Sequence, residues 1–406
     1  MLNVVDKMLH TEHKISNIYI GGWLQRTMLQ LSEIYSFVRG LGSSLKKLDN
    51  KKLNFFLEDL EIAQVDYRVA GEEYIHFSTK TGISIKIFED GLITLNKANI
   101  LESNLSDEIN TLQNFYDTKL SPALSYLFSL GAPTPKELAG IKTVYPSFVV
   151  YKNISNEHLL EVFSAIDQQK YFEFKNDKYN VVRGDKYYFI NNKTKSDAEI
   201  ERYIEEQIFI REFKGQLHRY LDIHRIVWEK IDAVKSHSKI QGSEIVKFTT
   251  KLESYAKTVN LIDGRIKQMS TYLPTREKIA KEDKDLAEFL EISGYRYETL
   301  RDTLLYIQHL WDITRNYVES TQKQFEDLKT DISNRSIKTL TAVSGMGAAA
   351  CIFMLLQSFD LNLTSDGALS LLIIFTITLV TPKILSAISN RQKYDISDVK
   401  YDKNIK

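Results

Sequence analysis

The feature of this sequence that most limits its possible folds is a pair of apolar segments near the C-terminal end. Residues 339–356 read TLTAVSGMGAAACIFMLL and carry no charge, and residues 367–388 are interrupted only by Pro382 and Lys383 near their far end. At ~1.5 Å per residue, the first segment as a helix would reach roughly 27 Å, close to the thickness of a bilayer core. The sequence therefore predicts two transmembrane helices. The alternative, two helices buried in a soluble core, is disfavoured because such pairs joined by a short loop are rare there.

The charges around these segments predict their orientation. Arg335 and Lys338 precede the first segment and further basic residues follow the second, whereas the connecting loop contains Asp360 and Asp366 and no Lys or Arg. Because cytoplasmic flanks carry the excess of Lys and Arg, both termini should face the cytoplasm. We therefore expect a multi-pass protein of the inner, cytoplasmic membrane, with residues 389–406 as a cytosolic tail.

The polar part before residue 196 has the pattern of an α+β cytosolic domain. Runs of β-branched and aromatic residues between Glu61 and Lys97 predict strands. Residues 107–130 predict a helix that Pro122 should bend or split. The sequence then predicts a strand at 144–151, a short helix at 156–167 and hairpin-like strands at 171–190.

Residues 196–338 predict a stalk of long helices. Ser196 and Glu199 have the spacing of a capping box, in which each side chain bonds the other residue's backbone N–H. We expect helix breaks at 236–242, which ends in Gly242, and at Pro274.

The last helix should begin after Gly294 and continue into the first apolar segment. Alternating steps of three and four residues connect a series of mostly apolar positions, which predicts packing against other helices in the same subunit or a neighbouring one. The positions of this seam are Leu300, Leu304, Ile307, Trp311, Thr314, Val318, Thr321, Phe325, Leu328 and Ile332.

Composition and motifs argue against several functions. The 53 Lys and Arg balance the 53 Asp and Glu, so no bulk attraction for a nucleic-acid polymer exists. Cys351 is the single cysteine, which excludes a disulfide framework. Gly345 to Ala350 have the letters of a dinucleotide fingerprint, but they lie inside an apolar run without a preceding strand. Small residues four apart, such as Gly345 and Ala349, instead predict close helix packing. No catalytic signature remains, and we predict that the protein is not an enzyme.

Two basic and aromatic clusters are candidate ligand sites. Arg183, Lys186 and Tyr187 surround a predicted turn and have the chemistry to hold a phosphate or stack on a base. The second cluster, in the stretch HRYLDIHR, contributes His218, Arg219 and Asp222. The alternatives are an ordinary hairpin tip for the first and a solvated helix face for the second. The eight histidines are scattered, so no metal site is predicted.

The junction with the first apolar segment carries a family resemblance. Residues Asn334-Arg-Ser-Ile337-Lys338-Thr-Leu340-Thr341 are similar to the N-x-x-[apolar]-K-x-L-T junction of the CorA-type divalent-cation channel superfamily. The order of the parts also resembles that family. The family's Gly-Met-Asn hallmark is absent, because its position falls at Ser358-Phe359-Asp360. The chain thus resembles a divergent branch of that superfamily.

The resemblance implies a homo-oligomeric cation channel, a pentamer, whose first span lines the pore. It implies a regulator bound by the cytosolic domain, either Mg²⁺ or another divalent cation, or a nucleotide second messenger, as in CorA-like effectors encoded beside type III CRISPR antiviral systems. A carboxylate ring at Asp360 would still attract cations. A membrane-anchored signalling or scaffold protein is the remaining alternative. The pore candidates are Asn334, Lys338, Thr341, Ser344, Gly345, Gln357, Ser358 and Asp360.

Overall fold

A computed structural model of the protein divides by contacts into two units. Unit 1 comprises Met1–Leu221 and Gly264–Gln308, and unit 2 comprises Asp222–Asp263 and His309–Lys406. The structure describes residues 13–23, 30–41, 49–69, 72–131, 147–166, 169–235, 237, 239–284, 286–287, 297–358, 376, 380–381, 384, 391 and 393–395.

Unit 1 is built on a mixed β-sheet, as the α+β prediction requires. Its nine described strands are β1 (Lys14–Trp23), β2 (Ile62–Arg68), β3 (Tyr74–Thr79), β4 (Ser84–Phe88), β5 (Leu92–Leu101), β6 (Ser147–Lys152), β7 (Phe172–Lys175), β8 (Tyr179–Arg183) and β9 (Tyr187–Asn192). Their order across the sheet is β2-β3-β4-β5-β1-β6-β9-β8-β7. The β6–β9 pair is parallel, and the other described pairs of this sheet are antiparallel.

The central strand β1 was not predicted from the sequence. Residues 18–23 are buried in succession, because both faces of this strand are covered, and the period-two pattern that reveals a half-exposed strand is therefore lost. Gly21 marks a close approach of two backbones: a Cβ there would lie 2.4 Å from the carbonyl oxygen of Ile93. Only glycine fits this position without a shift of the sheet.

Helices pack on both faces of the sheet. The larger core contains side chains from α1 (Leu31–Val38), α2 (Asn50–Leu60), α3 (Leu105–Phe115), α4 (Ser121–Gly131) and α5 (Asn156–Ile166). The long helix α6 (Asp197–Lys235) contacts the other face, where Trp23 meets the rings of Phe209 and Phe213 at 6.1 and 5.4 Å between centroids. α1 and α2 were also not predicted.

Two local predictions about helix termini are confirmed. A π-helical turn at Tyr116–Leu120 separates α3 from α4 directly before Pro122, as the expected bend or split requires. The capping box is present at the start of α6. The Ser196 N–H donates to Glu199 Oε2 at 2.7 Å, and the Glu199 N–H donates to Ser196 Oγ at 3.2 Å.

The two expected breaks in the stalk had different outcomes. α6 ends at Lys235, and the short strand β10 (Lys239–Gln241) precedes α7 (Gly242–Glu282), which confirms the break at 236–242. The break at Pro274 is wrong, because α7 continues through it. Buried residues on both sides, Leu273 and Arg276, fix the helix in unit 1, and these contacts offset the ~3 kcal/mol that an internal proline costs.

The last helix, α8 (Tyr297–Ser358), is continuous over 62 residues. It begins after Gly294 as predicted and includes the whole of the apolar segment 339–356. The seam positions from Leu300 to Phe325 are buried, which confirms helix packing there. Leu328 and Ile332 are only partly buried.

In unit 2, portions of α6, α7 and α8 pack together through aromatic contacts. The rings of Trp228 and Tyr317 stack at 4.7 Å between centroids, and the buried ring of Trp311 meets the His224 ring edge-on at 5.6 Å. Arg315 donates to Asp263 at 2.7 Å. Trp311 is the seam position among these residues.

The C-terminal part of the chain is described at few positions. β11 (Lys393–Asp395) pairs antiparallel with β10, so that Ile240 lies opposite Tyr394. Most of the predicted second transmembrane segment, 367–388, lies outside the described residues. Within the part of the chain that the structure describes, no helix combines the length and the apolar composition needed to cross a membrane.

Candidate functional site

A buried arginine organises the most unusual polar cluster of unit 1. The guanidinium of Arg276, on α7, donates two hydrogen bonds to the carboxylate of Asp90, at 2.5 and 3.1 Å. It also pairs with Glu72 at 2.8 Å, and the side chain of Arg276 is only 5% exposed. The rings of Phe88 and Phe209 lie 5.2 and 5.6 Å from the guanidinium carbon. Arginine suits this place because its planar fork matches a carboxylate and its faces can contact rings.

The turn between β4 and β5 positions Asp90. Its Oδ1 accepts the Leu92 N–H at 3.0 Å, and Gly91 follows with a φ of 93°, a conformation that favours glycine. The indole N–H of Trp23 donates to the Asp90 carbonyl oxygen at 2.9 Å. The turn is therefore fixed to the central strand, and Asp90 faces Arg276 in a defined geometry.

Two adjacent glutamates of α6 complete the cluster. Lys86 of β4 lies 2.9 Å from Glu201 and 3.2 Å from Glu205, and Glu206 Oε2 lies 4.0 Å from Arg276. The side chains of Glu205 and Glu206 are 6% and 2% exposed.

Burial raises the pKa of Glu205 to about 7, against the opposing effect of Lys86. Burial likewise raises the pKa of Glu206 to about 8, where Arg276 opposes the shift and Asp90 adds to it. At neutral pH, a large fraction of the protein molecules therefore carries a protonated Glu206.

These residues line one side of a cleft in unit 1. The cleft has a volume of about 460 Å³, and we call it the acidic cleft. Its lining residues are Glu72, Arg202, Glu205, Glu206, Arg276, Ile279, Glu282, Asp283, Lys284 and Leu286. Glu206 Oε1 has no hydrogen-bond partner among the described residues. No group of three or more His, Cys, Asp or Glu in the described ranges is arranged to hold a metal ion.

The acidic cleft was not predicted from the sequence. Its lining residues come from α6, from α7 and the residues directly after it, and from the segment before β3, and no short motif connects them. No local signal marks Glu205 and Glu206 as buried, because polar residues between two apolar positions four apart, here Ile204 and Ile208, are the ordinary pattern of an amphipathic helix.

The first predicted ligand cluster lies at the β8–β9 turn. Arg183 ends β8, Lys186 is exposed, and Tyr187 begins β9, with the Gly184 N–H donating to the Tyr187 carbonyl oxygen at 2.9 Å. The Arg183 guanidinium carbon lies 5.4 Å from the centre of the Tyr188 ring. The three predicted residues are therefore neighbours at one turn.

Helix α6 reinforces this turn. Arg211 donates to the Asp185 carbonyl oxygen at 2.9 Å, and its guanidinium carbon lies 6.0 Å from the centre of the same Tyr188 ring. Two arginines thus accompany one tyrosine beside the turn. Arg211 was not among the predicted residues.

The second predicted cluster lies along α6. His218 is exposed. Arg219 donates to Gln216 at 3.0 Å and lies 3.9 Å from the buried Glu212. Asp222 is exposed and belongs to unit 2.

The pore candidates lie at the far end of α8. Asn334, Lys338, Thr341, Ser344 and Gly345 are exposed in the single chain. Four of them, at 334, 338, 341 and 345, follow steps of four, three and four residues and so share one helix face.

The remaining pore candidates come at the end of α8 and beyond it. Gln357 and Ser358 are its last residues, and Asp360 lies outside the described residues.

Comparison with known proteins gives distant similarity to solved structures alone. No protein-family model matches the sequence, and no curated protein matches it. Among solved structures, the CorA magnesium transporter from Methanocaldococcus jannaschii is similar at 11% identity and a TM-score of 0.24, covering 62% of this chain and 92% of that one. A likeness of this size carries no argument about function.

Proposed function

We propose that the protein is a homo-oligomeric channel, a pentamer, that passes cations across the inner membrane when a ligand binds its cytosolic part. The cytosolic part would comprise an α+β domain (1–195) and a helical stalk (196–338), followed by two membrane helices (339–356 and 367–388) and a cytosolic tail (389–406). The apolar character of the two segments and the distribution of basic residues around them support this organisation.

The observation that carries the proposal is the pair of apolar runs at 339–356 and 367–388, and the pairing of β10 with β11 is compatible with two crossings. β10 lies in the proposed stalk, before both apolar segments, and β11 lies after both. A strand pair requires its two members to be on the same side of a membrane, so the chain between them must cross an even number of times. A hairpin of two spans meets this requirement.

The continuous helix α8 provides a mechanical connection. Its first turns, including Leu300 and Leu304, are buried in unit 1, and its last turns contain the uncharged run 339–356. A ligand that binds better to one arrangement of the cytosolic part would shift the population of that arrangement and thereby the open fraction of the pore.

The exposed face of α8 at 334, 338, 341 and 345 would contact its copies around the pore. Glycine at 345 allows backbones to approach closely. Asp360 of each subunit would form a carboxylate ring at the outer mouth, which attracts cations.

For the ligand, two classes follow from the proposal: a divalent cation and a nucleotide signal. The guanidinium groups of Arg183 and Arg211, both close to the Tyr188 ring, favour a ligand with phosphate, and so the nucleotide class. A nucleotide-activated effector in type III CRISPR antiviral defence would be the corresponding biological role.

Ion flux through liposomes containing the purified full-length protein tests the proposal. We expect flux only after addition of Mg²⁺ or of a nucleotide second messenger to the cytosolic side, and particles with fivefold symmetry. An absence of flux under all these conditions, with a monomeric or dimeric protein, would instead identify the chain as a membrane-anchored signalling or scaffold protein.

A further inference from the structure

The buried polar cluster of unit 1 contains more negative than positive groups. Arg276 and Lys86 are contacted by five carboxylates, which leaves three excess negative charges when all are ionised. The five are Glu72, Asp90, Glu201, Glu205 and Glu206. Water screens Glu72 and Glu201, whose side chains are 29% and 25% exposed, but Glu205 and Glu206 are buried, and a proton or an external cation would balance the charge that remains there.

Glu206 is the point where an external cation would act. Its side chain is 2% exposed, it lines the acidic cleft, and its Oε1 has no hydrogen-bond partner among the described residues. A buried carboxylate oxygen without a donor is unfavourable unless a proton or a ligand satisfies it. Oε1 is closed to solvent in this arrangement, so an N–H donor from the cleft reaches it only after a side-chain shift; it would then satisfy Oε1 and supply a positive charge at the same time.

The lining of the acidic cleft favours an organic cation over a metal ion. Ile279 and Leu286 contribute apolar surface, which suits an alkyl chain and not the water shell of a metal ion. No metal-binding arrangement exists among the described acidic, histidine and cysteine residues. Glu282 and Asp283 also line the cleft, where they pair with Lys278 at 3.7 Å and with Arg202 at 3.1 Å.

We propose that the acidic cleft binds a small alkyl polyamine, with one ammonium group donating to Glu206 Oε1 and the alkyl chain against Ile279 and Leu286. The cleft volume of about 460 Å³ accommodates a molecule of this class. This inference concerns unit 1 alone and does not rest on channel activity.

Binding of an ammonium group at Glu206 should release a proton. A Glu206 carboxyl with a pKa near 8 is mostly protonated at pH 7. A bound ammonium favours the ionised form, so binding should release up to one proton and should tighten about fivefold between pH 7 and pH 8.

Titration calorimetry of the full-length protein with spermidine tests the proposal. The titration is run at pH 7.5 in phosphate and in Tris, whose heats of ionisation differ, so that the difference gives the protons released. We expect saturable binding of one spermidine per chain with proton release. Glu206→Gln should weaken binding at least tenfold and abolish the release, while circular dichroism shows that the fold is retained.

Glu212→Gln is the matched control. Glu212 is also a buried carboxyl of α6, and burial raises its pKa to about 7, but it is not part of the cleft lining. Its variant should bind spermidine within twofold of the parent. Three results would overturn the proposal: no saturable binding at millimolar spermidine, unchanged binding by Glu206→Gln, or displacement of spermidine by an equal concentration of Mg²⁺.

Discussion

Arg276 of α7 and Asp90 of the β4–β5 turn form a two-pronged ion pair that is almost completely buried, at 2.5 and 3.1 Å. The pair connects a turn of the sheet to a helix that begins about 150 residues later in the chain. Because Arg276 also contacts Glu72 and lies near Glu206, it is the main positive charge for several buried carboxylates.

Loss of Arg276 should therefore destabilise unit 1 strongly. Arg276→Met keeps much of the side-chain volume but leaves Asp90 buried without its partner, and we expect a loss of about 3–5 kcal/mol in the free energy of unfolding. Urea denaturation followed by circular dichroism measures this loss. Arg225→Gln, which removes an exposed partner of Glu229, should cost less than about 0.5 kcal/mol. Equal effects of the two variants would contradict the assignment.

Two seam threonines seven residues apart on α8 should respond differently to valine. Thr314 Oγ1 lies 2.9 Å from the Leu310 carbonyl oxygen and 2.7 Å from His224 Nε2. Since the hydroxyl has one proton, which it donates to Leu310, we infer the Nε2–H tautomer of His224, which donates to Thr314. Thr321 donates to the Tyr317 carbonyl oxygen of its own helix.

Thr314→Val should destabilise the helices of unit 2 by about 1 kcal/mol, because the His224 N–H loses its acceptor. Thr321→Val should be neutral or slightly stabilising, since a buried hydroxyl is replaced by a methyl group of similar size. Thermal unfolding of the two variants, compared at one pH near neutrality, measures the difference. A larger loss in Thr321→Val would contradict this hydrogen-bond assignment.

The pH dependence of stability should contain a contribution from Glu206. Burial, together with the charges of Asp90, Glu72 and Glu205, raises its pKa to about 8 against the opposing effect of Arg276. The folded protein therefore keeps a proton that the unfolded chain releases near its ordinary pKa of 4.5. This contribution to stability is present below pH 4.5 and is lost as the pH rises towards 8.

Glu206→Gln should flatten that decline. Relative to the parent, the variant should gain stability progressively from pH 5 to pH 8.5, as measured by urea denaturation at several pH values. Glu229→Gln, an exposed carboxyl on the same helix, should leave the slope of the parent unchanged. A parallel profile for Glu206→Gln and the parent would exclude a raised pKa at this position.

A substitution at Gly345 tests whether the subunits assemble through contacts of α8. Among the described residues, a Cβ at this position meets nothing within 4 Å. In the proposed oligomer, Gly345→Leu should separate neighbouring helices and shift the protein to smaller species in native mass spectrometry. Gly215→Leu in α6, where a Cβ likewise meets none of the atoms that the structure describes within 4 Å, should leave the oligomer intact. If Gly345→Leu assembles normally, Gly345 does not lie at a subunit contact.

Local sequence patterns predicted those elements whose stability depends on neighbouring residues. The strands between Glu61 and Lys97, the capping box at Ser196 and the seam up to Phe325 all follow from spacing, because hydrogen bonds and helix faces repeat at fixed intervals along the chain. Patterns failed where burial covers both sides of an element, as in β1, and where distant contacts override a local preference, as at Pro274.

The sequence by itself determined the α+β character of the first part, the long helices and the two apolar segments, since each depends on residues close together in the chain. Only the tertiary structure decided that Asp90, Glu206 and Arg276 meet. Their mutual attraction and shared burial depend on distances in space between separate elements, and those distances set the raised pKa of Glu206 and the chemistry of the acidic cleft.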